Sequence, residues 1–89
     1  MEQDLRKKRA QWRAHHRGTK EADMLVGGFA DRWLDGLDEA GLAWFEALLE
    51  EQDVDIMAWA FGKAMPPARL AGVWMERLLQ LDYVRLVPR

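Results

Sequence analysis

The chain contains no cysteine. That absence removes disulfides, thiolate metal sites and cysteine nucleophiles together, and it is compatible with a reducing compartment. Long apolar runs are missing too: the longest unbroken one, Ile56 to Phe61, falls far short of the roughly 20 residues that a membrane helix needs. The first residues lack the apolar centre of a secretory signal, and Glu2 and Asp4 argue against a transit peptide. No stretch alternates apolar and polar residues for long enough to make a strand, no segment repeats, and none is of low complexity. Without strands there is no place for a glycine-rich phosphate loop between strand and helix.

What is present is a helix-forming chain of 89 residues, 49% hydrophobic and 31% charged, the composition of a folded domain. The expectation is a single all-α domain over residues 1–89, a five-helix bundle with residues 83–89 as a flexible C-terminal tail. Small domains bury a smaller share of their surface, so five Trp, three Phe and five Met must supply much of the core.

Charge is segregated along the chain. Residues 1–20 hold seven Lys/Arg against Glu2 and Asp4, a net +5; residues 21–62 are net −10, with Arg32 the lone base; residues 63–89 are net +3. A basic end facing an acidic middle can close on itself within the molecule. The same distribution can also orient a protein partner, since complementary patches steer docking.

The first helix is expected over residues 3–15, with Leu5 and Trp12 sharing a thin apolar stripe that docks it. Gly18 suits a left-handed position that ends this helix, and the second helix then begins at Gly18 or Thr19. With Gly18 as N-cap, Glu21 falls where its carboxylate can reach back to the cap amide. Capping alone thus accounts for Arg17, Gly18 and Glu21. From Ala22 the apolar residues Leu25, Val26, Phe29, Ala30 and Trp33 follow helical spacing, and Gly27-Gly28 within that helix point to close approach of another backbone, with a local bend as the alternative. Gly36 ends the helix and Asp38 is placed to cap the next, at about 39–51, whose late glutamates face an unfavourable helix end. Asp53-Val54-Asp55 reads as a break and a new cap before a short helix through Phe61, stopped by Gly62. The last helix is expected from Pro67 to about Asp82.

No catalytic residue and no metal ligand set is expected. His15 and His16 are adjacent, so on a helix they diverge by about 100° and cannot chelate one ion. Asp53 and Asp55, two apart, also diverge.

Arg17-Gly18-Thr19-Lys20-Glu21, followed by Ala22-Asp23-Met24-Leu25-Val26, resembles the Arg-Gly-x-x-Glu-x-Asp signature of the SdhE-type succinate dehydrogenase assembly factors, also called flavinylation factors. The stretch from Leu48 to Ile56, with Trp59 beyond it, resembles the second conserved segment of that family. Val54 stands where the family commonly has proline, and Ala22 and Met24 replace more typical aliphatics; the fixed positions are untouched. The resemblance implies a small helical chaperone, not an enzyme, that binds the flavoprotein subunit of succinate dehydrogenase or fumarate reductase and promotes covalent attachment of FAD to a histidine there. It implies that FAD belongs to that client and is not bound stably by this chain. It further implies a monomer in the bacterial cytoplasm, with no nucleic acid and no membrane insertion. Arg17, Gly18, Glu21 and Asp23, with His16 and Lys20 beside them, are the expected partner-binding residues; Asp53, Asp55 and Trp59 are expected to support them. On this reading Arg17 offers a donor fork to the client, so that Arg17→Ala weakens binding with little change in melting temperature. Two other readings stay open: a regulatory interaction module of antitoxin type, and a helical nucleic-acid binder using residues 6–20.

Overall fold

The fold was analysed in a computed structural model that describes residues 2–84. Five α-helices follow one another: α1 (Glu2–Ala14), α2 (Lys20–Trp33), α3 (Glu39–Leu49), α4 (Asp53–Ala60) and α5 (Val73–Gln80). One-turn 3₁₀ segments at Leu34–Gly36 and Ala68–Leu70 lie in the connections, and no strand occurs among the described residues. The all-α, five-helix expectation is met.

Local chemistry explains most boundaries. The Thr19 side chain accepts a hydrogen bond from the Ala22 amide at 3.1 Å, which makes Thr19, not Gly18, the N-cap of α2. Glu21 therefore sits in the second helical position, one short of where a capping box needs it. Asp38 caps α3 as expected, accepting from the Gly41 amide at 2.8 Å. Helix α4 begins at Asp53 itself, with Gln52 in the cap position and no side-chain cap bond, so Asp53 and Asp55 lie inside the first turn instead of ahead of it.

The final segment departs from the continuous helix expected from Pro67. Pro67 and Ala71 are extended, and Gly72 takes φ 135°, which a helix cannot accommodate, so α5 starts only at Val73. It stops at Leu81, whose φ of 61° is left-handed. A leucine there costs roughly 1–2 kcal/mol that a glycine would not. Tyr83 is not part of an exposed tail: its ring meets Phe29 edge-on at 5.6 Å and its hydroxyl donates to the Leu78 carbonyl at 2.8 Å. Burial pushes that hydroxyl to titrate well above the usual tyrosine range, with Asp82 adding to it. The remainder of the expected tail, 85–89, lies outside the described residues.

The core is built around Phe29 of α2 and Phe45 of α3, stacked at 5.5 Å, with Leu42, Leu48, Ile56 and Leu78 fully buried around them. Each such side chain contributes about 1.5–3 kcal/mol through removal from water. Helix α1 joins this core through Ala10 and Ala14. Leu5 and Trp12, expected to dock it, are 50% and 61% exposed. What holds α1 besides the two alanines is charge: Arg6 bridges Glu39 and Glu46, both at 2.7 Å, and Arg13 reaches Glu50 at 2.7 Å. The basic first helix thus closes onto the acidic third, and Glu46 and Glu50, poorly placed for the dipole of α3, answer a neighbour. The hydrogen bond from Arg6 holds the Glu46 carboxyl below the usual range against the opposing effect of burial.

Glycines in α2 make room for side chains more than for a second backbone. A Cβ on Gly27 would lie 2.6 Å from the His15 ring, and one on Gly28 would lie 3.3 Å from the Tyr83 ring. His15 is held over Gly27 by its Nε2, which donates to Asp31 at 2.9 Å.

Candidate functional site

Two stretches far apart in sequence meet at one joint. The turn between α1 and α2 carries Arg17 and Gly18, and the turn between α3 and α4 carries Glu51, Gln52 and Asp53. The Arg17 side chain is only 9% exposed, and its three donor groups are all engaged. Its Nε donates to Asp53 Oδ1 at 2.7 Å, and its two terminal nitrogens donate to the carbonyls of Leu49 at 2.9 Å and Glu51 at 2.7 Å. These carbonyls belong to the end of α3 and the turn after it. Carbonyls at a helix end lack intrahelical partners, so a cation with a planar fork suits that place both geometrically and by the sign of the dipole.

The other oxygen of Asp53 accepts the Gly18 amide at 2.8 Å. Both carboxylate oxygens are therefore taken by consecutive residues of the first joint. Burial works to raise the Asp53 carboxyl, but the Gly18 amide, the Arg17 hydrogen bond and the Arg17 charge outweigh it and hold the group below the usual carboxylate range. Asp23 closes the joint from α2, its Oδ1 accepting the Arg17 amide at 2.6 Å.

Gly18 does not occupy the left-handed region expected of it; among the described glycines only Gly62 and Gly72 have positive φ. The requirement is proximity. A Cβ at residue 18 would lie 3.3 Å from the Asp53 carboxylate.

The geometry divides the expected partner-binding residues into two sets. Arg17 and Asp23 face inward and hold the joint together, which corrects the expectation that Arg17 presents its fork outward. Lys20 and Glu21 are exposed, and neither side chain has a hydrogen bond or ion pair with a described residue. His16 is exposed as well, but it is placed: its Nδ1 donates to the Trp12 carbonyl at 2.6 Å and its ring stacks on the Trp12 ring at 4.0 Å and 11°. In the second stretch Asp53 belongs to the joint, Trp59 is buried in the core, and Asp55 is exposed with no side-chain partner among the described residues.

Together Trp12, His16, Gly18, Gln52 and Asp53 line an open concavity of about 500 Å³ over the joint. Its floor is rigid, since the Arg17 bonds span both turns. Its rim carries an exposed aromatic stack, the residue type that most often anchors protein interfaces. Trp12 was expected from sequence only to dock α1, and Leu49 and Glu51 only as part of the second stretch; none of the three was expected at the site itself. The carbonyls had no signal to find; Trp12 had one, four residues before His16 on the same helix face.

Among the described residues lining the concavity, the titratable side chains His16, Glu51 and Asp53 are each engaged within the chain, with the Trp12 carbonyl, Arg69 and Arg17. His15 is engaged with Asp31, His16 with Trp12, and no group of three His, Asp or Glu residues that could hold a metal ion occurs among the described residues. None of the described helices is long and apolar enough to cross a membrane.

Comparison with known proteins places the chain among relatives. Over 80 residues the chain is 34% identical to the FAD assembly factor SdhE of Acetobacter pasteurianus, an alignment covering 90% of this chain and 73% of that protein. It is 37% identical over 69 residues to the mitochondrial succinate dehydrogenase assembly factor 2 of Cryptococcus neoformans, covering 78% of this chain and 39% of that one. The corresponding factor of Saccharomyces cerevisiae is 41% identical over 58 residues, covering 63% and 36%. The chain thus spans well under half the length of the mitochondrial relatives and most of the bacterial one. Residues 8–82, which include the joint and the whole core, match the family Sdh5, described as flavinator of succinate dehydrogenase, and the chain belongs to that family.

Proposed function

We propose that this chain is an assembly factor that binds the flavoprotein subunit of succinate dehydrogenase, or of fumarate reductase, and promotes covalent attachment of FAD to it without being an enzyme itself. The observation that carries this reading is the family match across residues 8–82, a range that contains the Arg17–Gly18–Asp53 joint. Attaching a flavin to a histidine needs the nucleophile aligned with the flavin carbon and support for charge developing on the ring; both can come from the client once its shape is right. A helper then works by binding the competent conformation more tightly than the others. A rigid joint with an exposed aromatic stack and exposed charges suits that task better than it suits catalysis.

On this reading the FAD remains the client's, the chain acts as a monomer, and its place is the bacterial cytoplasm. Co-expression with a succinate dehydrogenase flavoprotein subunit, followed by in-gel flavin fluorescence, tests the proposal. The covalent flavin band is expected to be several-fold brighter with the chain than without it, on the scale of a conformational preference of about 1 kcal/mol or more. Equal bands would overturn it.

A further inference from the structure

A second concave surface lies beside the joint, between α2, the end of α4 and the close of α5. Among the described residues its walls are Met24, Met57, Phe61, Leu81 and Val84, and it encloses about 250 Å³. Glu21, exposed at the start of α2, is the lone polar side chain among the residues around it.

Three features set this groove apart from ordinary surface. Phe61 is 61% exposed although the core beside it is apolar, so a large ring is left in water at the groove wall. Leu81 is held at φ 61°, a conformation that favours glycine, yet the residue there is one whose side chain forms a wall. Strain of this kind persists where the surroundings have a use for it. Glu21 differs from its neighbours Arg17 and Asp23 in having no side-chain partner among the described residues, so its charge is available to something outside them. Met24 and Met57 add adaptable apolar surface of the sort that accepts a foreign side chain.

Building on the function proposed above, we infer that this groove takes one apolar side chain of the client flavoprotein subunit, from a segment whose adjoining residue is a lysine or arginine that pairs with Glu21. Charge decides the flank: Glu21 is the one charged side chain at the groove, and Met24, Met57 and Phe61 come from the stretch 21–62 that is net −10 while Leu81 and Val84 come from beyond it, so a basic neighbour is drawn to the Glu21 edge and an acidic one repelled. Shape decides the anchor, because an apolar pocket with one charged group at its edge fixes a single inserted side chain and the direction of the segment carrying it.

The test places the photo-reactive residue p-benzoylphenylalanine at position 61 of the full chain, mixes it with the purified flavoprotein subunit lacking FAD, irradiates, and maps the crosslink by mass spectrometry. The expected product joins residue 61 to the client at an apolar residue next to Lys or Arg. In parallel, Glu21→Lys is expected to weaken client binding about tenfold or more and Phe61→Ser by a similar factor, both with unchanged melting temperature. Crosslinks to an acidic or uncharged client segment, crosslinks only to a second copy of this chain, or unaltered affinity in both variants would overturn the inference. If the unsubstituted chain does not bind the flavoprotein subunit, the proposed function fails and this inference with it. If it binds and the groove variants bind equally well, the groove alone is refuted.

Discussion

Arg17 and Asp53, thirty-six positions apart, are joined at 2.7 Å through Nε and Oδ1, and the same guanidinium holds the carbonyls of Leu49 and Glu51. The pair therefore fastens the turn before α2 to the turn before α4. Removing the guanidinium leaves a mostly buried carboxylate with the Gly18 amide alone, together with two carbonyls at a helix end.

Arg17→Ala is expected to destabilise the fold by about 3 kcal/mol, the range found when one partner of a buried pair is removed. In a domain of this size that lowers the melting temperature by roughly 15 °C. Arg17→Lys keeps the charge but not the fork, so about half of that loss is expected. Urea unfolding of the three proteins measures both. An Arg17→Ala variant that melts with the parent would mean that the joint is held by something other than this side chain.

The Asp53 carboxyl titrates below its usual range in the folded protein, so its contribution to stability is present above about pH 4, the unfolded value, and is lost as pH falls through the folded one. The stability difference between the parent and Asp53→Asn should accordingly be largest near neutral pH and shrink below about pH 4. Urea midpoints for both proteins between neutral pH and about pH 3 check this. A difference that stays constant into acid would show that the charge on Asp53 is immaterial.

Features written in neighbouring residues were legible from sequence, and features that depend on tertiary meetings were not. The apolar stripe of α2 and the Asp38 cap need only spacing and one side chain. Asp53 also looks like a cap locally, and only the arrival of Arg17 and Gly18 gives it another use. Gly72 lies ahead of a strongly periodic apolar pattern, which hid the break that its φ of 135° imposes. The structure brings Arg17, Gly18, Asp23 and Asp53 together at the joint, but the division between inward Arg17 and outward Glu21 was beyond reach, because both are long charged side chains next to a turn. The thin stripe of α1 misled for a related reason: alanines at 10 and 14 carry little hydrophobic signal, yet they allow the close approach that larger residues would prevent.

Gly27 offers a test of packing by non-additivity. A methyl at residue 27 would lie 2.6 Å from the His15 ring, which must swing away and release Asp31. Alanine also gains about 1 kcal/mol over glycine in a helix interior. Gly27→Ala alone is expected to destabilise by about 1 kcal/mol, the clash outweighing the propensity, while the same change in a His15→Ala background should stabilise by about 1 kcal/mol. Thermal unfolding of the four proteins of this cycle gives the coupling directly. Additive effects would indicate that the ring does not rest on Gly27.

Gly18→Arg separates what the joint needs from what a partner needs. The backbone at residue 18 is not in the left-handed region, so a side chain meets no conformational barrier there. Its Cβ would come within 3.3 Å of Asp53, close enough to move the carboxylate slightly, and the added guanidinium could pair with it. A stability loss of only about 1 kcal/mol is expected, with the helical circular dichroism retained. The rest of the side chain must project into the concavity beside Trp12 and His16, where it would hold a client away. Flavinylation of the co-expressed flavoprotein should therefore be lost in Gly18→Arg and largely kept in Gly18→Ala, whose methyl perturbs Asp53 equally but fills little space. Loss of activity in both, with both folded, would assign the effect to the displaced carboxylate instead of to bulk. If Gly18→Arg fails to fold, the glycine serves the joint and not the surface above it.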